Sequence, residues 1–101
     1  ELEAYRQLPM WKARIPLAPT IPRELAFDRS YTFHPQKIAN LTIPTLLLLG
    51  GDSPPVFRQA IETLDAALPN SRVVTLPGQQ HIAMDTNPEL FVTEVLKFLL
   101  E

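Results

Sequence analysis

The stretch that most constrains this chain is Ile43 to Asp52, IPTLLLLGGD. Four leucines, Leu46 to Leu49, stand in a row with no polar residue between them. A short apolar run without alternation fits a strand covered on both faces of a parallel α/β sheet; a buried helix segment has the same look. The run is short, and Pro44 fences it on one side and Gly50-Gly51 on the other, which favours the strand. The two glycines predict a sharp turn at the strand's C-terminal end. In open α/β sheets that edge holds functional side chains, and Asp52 falls there.

The stretch after Asp52 has helix and strand signals in alternation. Ser53-Pro54 combines an N-cap hydroxyl with a proline at the first helical position. Phe57, Ala60, Ile61, Leu64 and Leu68 then recur at helical spacing and predict one apolar face. Pro69-Asn70 closes that helix, and the β-branched run Arg72 to Leu76 reads as a second strand, ended by Pro77-Gly78. Asn87-Pro88 repeats the cap-and-proline signal. Phe91, Val95, Phe98 and Leu99 form the expected buried stripe of a last helix, with Val92 and Leu96 beside it. The fold class is therefore α/β, in the order strand, helix, strand, helix, with parallel strands and a right-handed crossover.

The first 40 residues differ. Five of the eleven prolines (Pro9, Pro16, Pro19, Pro22, Pro35) fall there, so a long helix is excluded and short helical pieces joined by loops are expected. Leu2, Tyr5, Arg6 and Leu8 fit one such piece and Ile21 to Leu25 another short turn. The division predicted is residues 1–40 as a proline-rich segment and residues 41–101 as the α/β segment. Trp11, Tyr5, Phe27, Tyr31 and Phe33 can line an apolar pocket or serve as plain packing residues.

Composition removes several functions. The net charge of −2 gives no field for nucleic acid or an anionic membrane. There is no cysteine, so disulfides, thiolate catalysis and cysteine metal sites are out; with only two histidines, neither a metal site nor a cofactor is expected. No apolar run nears the roughly 20 residues of a membrane span, and the acidic start Glu1-Leu2-Glu3 is unlike a signal peptide. A cytoplasmic location is the expectation.

Each predicted strand ends in a turn with one titratable residue, Asp52 after the first and His81 after the second. Adjacent parallel strands bring both to one sheet edge. A carboxylate there can fix the imidazole tautomer, leaving the other nitrogen to take a proton from a nucleophile. The ordinary alternatives are a turn aspartate and a structural loop histidine. His34 and Asp85 are read as loop and turn residues, and Arg23-Glu24 and Asp28-Arg29 as surface charge.

Residues 41–101 resemble the C-terminal end of an α/β-hydrolase. The resemblance rests on Ile43-Pro44-Thr45-Leu46-Leu47-Leu48-Leu49-Gly50, on Leu76-Pro77-Gly78-Gln79-Gln80-His81, and on Asn87 to Phe91 running into Val95 to Leu99. It implies the strand before the acid, the histidine turn and the closing helix of a three-layer sheet, with residues 1–40 similar to the end of a cap. It implies a serine hydrolase acting on a small, largely apolar ester-like substrate, with His81 as base and Asp52 as acid. Two features depart from the family. There is no G-x-S-x-G, so the nucleophile must lie in a missing half of a longer protein. The family's acid lies three residues after the strand-ending glycine, which is Ser53 here, and Asp52 is one residue early; either a reshaped turn aims Asp52 at His81 or the acid comes from a strand absent here.

Two other readings stand beside this one. Gly51-Asp52-Ser53 resembles the Gly-Asp-Ser block of another esterase family, which would make Ser53 the nucleophile and His81 the base. Gly78 stands where that family wants an aspartate, and Pro54 offers no N–H to an oxyanion hole. Ser53 as an N-cap is preferred. The other reading is a non-catalytic, self-associating interaction module, because a two-stranded sheet leaves open edges that a further copy or the missing half can pair.

Overall fold

The computed structural model describes residues 2–101 and divides into two units, one ending at Phe33 and the other spanning His34–Glu101. Residues 34–40 thus belong with the α/β unit.

The first unit is a succession of helical turns: α1 (Leu2–Arg6), α2 (Pro9–Arg14), a 3-10 helix (Ile15–Thr20) and α3 (Ile21–Ser30). The prolines open elements more than they break them. Pro9, Pro16 and Pro22 each occupy one of the first two positions of a helix, where a missing N–H costs no hydrogen bond. Pro19 lies inside the 3-10 stretch. The short turn expected from Ile21 is a ten-residue helix, since nothing after Pro22 interrupts it. The aromatic residues pair locally: Tyr5 meets Trp11 edge-on at 5.4 Å between centroids, and Phe27 stacks on Tyr31 at 5.8 Å. No described residue of this unit is fully buried.

The second unit is mixed α/β around a two-stranded parallel sheet. A 3-10 turn (Pro35–Lys37) precedes β1 (Thr45–Gly50), α4 (Pro55–Ala67), β2 (Ser71–Leu76), α5 (Ala83–Thr86) and α6 (Pro88–Leu99). The strands pair in register from Thr45↔Ser71 to Gly50↔Leu76, so both end at the same level. Thr45 N–H bonds to Asn70 C=O and Gly51 N–H to Leu76 C=O. Odd-numbered residues of β1 therefore face β2, and Leu46 and Leu48 turn their backbone groups to the open side.

One helix covers each face of the sheet. Ser71 Oγ donates to Asp65 Oδ1 of α4 at 2.6 Å, whereas Arg72 meets Glu101 at 2.9 Å and lies 5.4 Å from the Phe98 ring centroid of α6. Successive strand residues point to opposite faces, so α4 and α6 lie on opposite sides. Leu49, Leu76 and Ala83 are the buried hydrophobic residues, at 4%, 1% and 5% exposure. The stripe expected on α6 is narrower than predicted. Phe91, Val95 and Phe98 are half-buried, but Leu99 is 67% exposed. It lies about 100° round the helix from Phe98, past the rim of a sheet only two strands wide.

The two cap-and-proline signals diverge. Asn87 caps α6 as expected, its Oδ1 accepting from Leu90 N–H at 3.1 Å. Ser53 does not cap α4. That helix starts at Pro55, one residue later than predicted, with Pro54 before it at φ −51°, ψ 148°. A residue preceding proline is driven out of the α region, and Pro54 precedes Pro55. The Ser53 hydroxyl makes no hydrogen bond to an N–H of this helix.

Candidate functional site

The β1–α4 turn and the β2–α5 turn meet at the C-terminal edge of the sheet. Leu76 C=O accepts from Gly51 N–H at 2.8 Å and, within its own turn, from Gln79 N–H at 3.3 Å. Pro77 and Gly78 form the corner. Gly78 has φ +69°, the left-handed conformation that a type II turn places at its third residue, and glycine adopts it without strain. The chain then passes so close to β1 that Asp52 N–H bonds to Gln79 C=O at 2.9 Å. A Cβ added at Gly50 would lie 2.5 Å from Gln80 O and 2.6 Å from Gln79 O, so only glycine fits.

Gln79 also fixes the far side of this turn. Its Oε1 accepts from Thr86 Oγ1 of α5 at 2.7 Å, and Ala83 of the same short helix is buried. The helical turn at Ala83–Thr86, which the sequence reading did not anticipate, thereby anchors the segment holding His81. Sequence spacing gave no signal for Gln79, because its role depends on a backbone carbonyl and a partner in another element.

The His81 ring stacks on Phe57 of α4, with centroids 4.3 Å apart and planes at 15°. Both line a cavity of about 150 Å³ under the edge of the sheet. Leu48, Leu49, Ala60 and Ile61 supply its apolar wall, and the backbone of Gly50 completes it. Ser53 and His81 are its polar side chains. The wall can hold an apolar group, and the hydroxyl and imidazole can meet a polar one.

Of the residues singled out in the sequence, Asp52 and His81 come to one edge, and their turns are joined by backbone hydrogen bonds. Their side chains do not bond to each other: among the described residues His81 has no carboxylate partner within 4.0 Å and no side-chain hydrogen bond. Asp52 is exposed and does not line the cavity, whereas Ser53 is half-buried and does. His34 stands at the start of the 3-10 turn Pro35–Lys37, and Asp85 lies in α5. No group of histidine and carboxylate residues with metal-binding geometry occurs among the described residues. No described helix is long and apolar enough to cross a membrane. The chain matches no family model, and comparison with curated proteins and with solved structures returns no match.

Proposed function

We propose that residues 41–101 form the acid-and-histidine portion of an α/β-hydrolase-like serine hydrolase that acts on a small, largely apolar ester-like substrate. One observation carries the reading: two parallel strands end in register, and hydrogen bonds from Gly51 and Asp52 lace the turn after the first to the turn that presents His81. In this reading β1 and β2 are the last strands of a wider three-layer sheet. The open side of β1, where the backbone N–H and C=O groups of Leu46 and Leu48 point, is where a preceding strand adds. His81 takes the proton of a nucleophile supplied by another segment and returns it to the leaving group. The turn Asp52-Ser53 supplies the group that orients the ring; the resemblance taken alone assigns that role to the Asp52 carboxylate. The apolar wall around Phe57 and Ile61 fits the apolar part of the substrate.

The test expresses the whole reading frame in which these residues lie. The expected product labels with a fluorophosphonate and hydrolyses p-nitrophenyl butyrate, and His81→Asn lowers kcat by at least about 10³-fold. A product that does not label, or one whose turnover survives His81→Asn, refutes the reading. The 101-residue chain alone should hydrolyse the ester no faster than free imidazole.

Two further readings have specific support. Ser53, released from capping and placed in the His81 cavity, favours an esterase with Ser53 as nucleophile; turnover by the isolated chain, abolished by Ser53→Ala, would establish it. The adjacent Pro54 and Pro55 weigh against this, since neither has an N–H for an oxyanion. The open strand edges and the exposure of Ile43, Val73, Leu96 and Leu99 favour a self-associating module. Light scattering over a concentration series, with ANS binding, tests that reading. A strictly monomeric chain that binds no ANS and unfolds cooperatively rejects it.

A further inference from the structure

The geometry points to Ser53, not Asp52, as the positioning residue for the His81 imidazole, acting through one bridging water, since the two side chains share a cavity without a direct hydrogen bond. This rests on the reading of His81 as a base, but the placement it asserts is testable without any catalysis. Three observations converge. Ser53 and His81 are the polar side chains of an otherwise apolar cavity. A half-buried hydroxyl in such a place gains most from a polar partner, and that cavity offers one. The double proline removes the competing partner, because α4 starts at Pro55 and leaves Ser53 without a helical N–H to cap.

Asp52 is held differently. Its N–H is committed to Gln79 C=O, and its side chain is exposed outside the cavity. The charged groups on the elements around the ring are Asp52 in the β1–α4 turn, Arg58, Glu62 and Asp65 of α4, and Asp85 of α5, and none forms an ion pair with His81. A hydroxyl that accepts from an imidazole N–H can fix tautomer and ring direction. It carries no charge, so it lacks a carboxylate's power to stabilise the imidazolium. The cavity of about 150 Å³ is large enough for a bridging water, whose share of liquid volume is about 30 Å³.

The experiment is an NMR titration of the His81 ring in the 101-residue chain, assigned with His81→Asn. Ser53→Asp places a carboxylate where the hydroxyl stands and should raise the titration midpoint by about one unit or more. Asp52→Asn should leave the midpoint within about 0.3 unit of the parent. Ser53→Ala should change the imidazole ¹⁵N tautomer ratio at high pH, and Ser53→Thr should restore it. A drop of half a unit or more in Asp52→Asn overturns the proposal, even if Ser53→Asp fails to fold. So does a folded Ser53→Asp chain with an unmoved midpoint, or a tautomer ratio indifferent to Ser53→Ala. Failure of the full reading frame to label with fluorophosphonate would refute the hydrolase reading and leave these ring measurements standing on their own.

Discussion

Two helices of the α/β unit begin with the same chemistry and are held in different ways. At α6, Asn87 precedes one proline, and its side chain bonds the Leu90 N–H. At α4, Ser53 precedes two prolines, and it caps nothing. The α4 junction is fixed instead by the backbone: Gly50 and Gly51 lie against the carbonyls of Leu76, Gln79 and Gln80. One additional proline separates a structural cap from a side chain free to face a cavity. The same hydroxyl or amide therefore stabilises a helix or serves a site according to what the next two residues allow.

Four stability measurements, each by urea unfolding of the 101-residue chain, bear on that contrast. Gly50→Ala should have the largest effect, a loss of about 2–3 kcal/mol, because its Cβ meets the backbone of Gln80, which cannot swing aside as a side chain can. A loss below about 0.5 kcal/mol would mean that the α4 junction does not depend on this approach. Asn87→Ala should cost about 1 kcal/mol, and Asn87→Ser should recover most of it. If the alanine variant is as stable as the parent, the α6 cap contributes nothing and the contrast disappears.

The next measurement converts one junction into the other. In a Pro55→Ala background, Pro54 is free to become helical and Ser53 regains a cap position. Ser53→Ala should then cost about 0.5–1 kcal/mol. The smallest effect belongs to Ser53→Ala in the parent chain, expected within about 0.5 kcal/mol of zero. A cost equal to that of Asn87→Ala would show that Ser53 caps α4 after all.

Much of the α/β unit was legible because its signals are local. The leucine run between Pro44 and Gly50 gave β1, the period of Phe57, Ile61 and Leu64 gave α4, and the β-branched run gave β2. The helical turns of the first unit were legible from their prolines only in outline, since a proline marks a start as readily as an end. The width of the α6 stripe was not legible: Leu99 is apolar at the right spacing, yet its exposure depends on how many strands lie beneath it. The start of α4 was in principle readable from Pro54-Pro55, because the restriction on a pre-proline residue is a property of neighbours in sequence.

The sequence alone determined that two strand-ending turns would each bear a titratable residue, because hydrophobic period and glycine or proline punctuation act within a few residues. It determined too that Pro77-Gly78 would end the second strand before His81. Tertiary structure decided which side chains share a space. The Phe57 ring under His81, the tie from Gln79 to Thr86, and the placement of Ser53 inside and Asp52 outside the cavity each join residues on separate elements. Such placements follow from how close two strands and a helix can approach. Here that distance was set at Gly50, where the absence of one carbon lets the histidine turn reach the sheet.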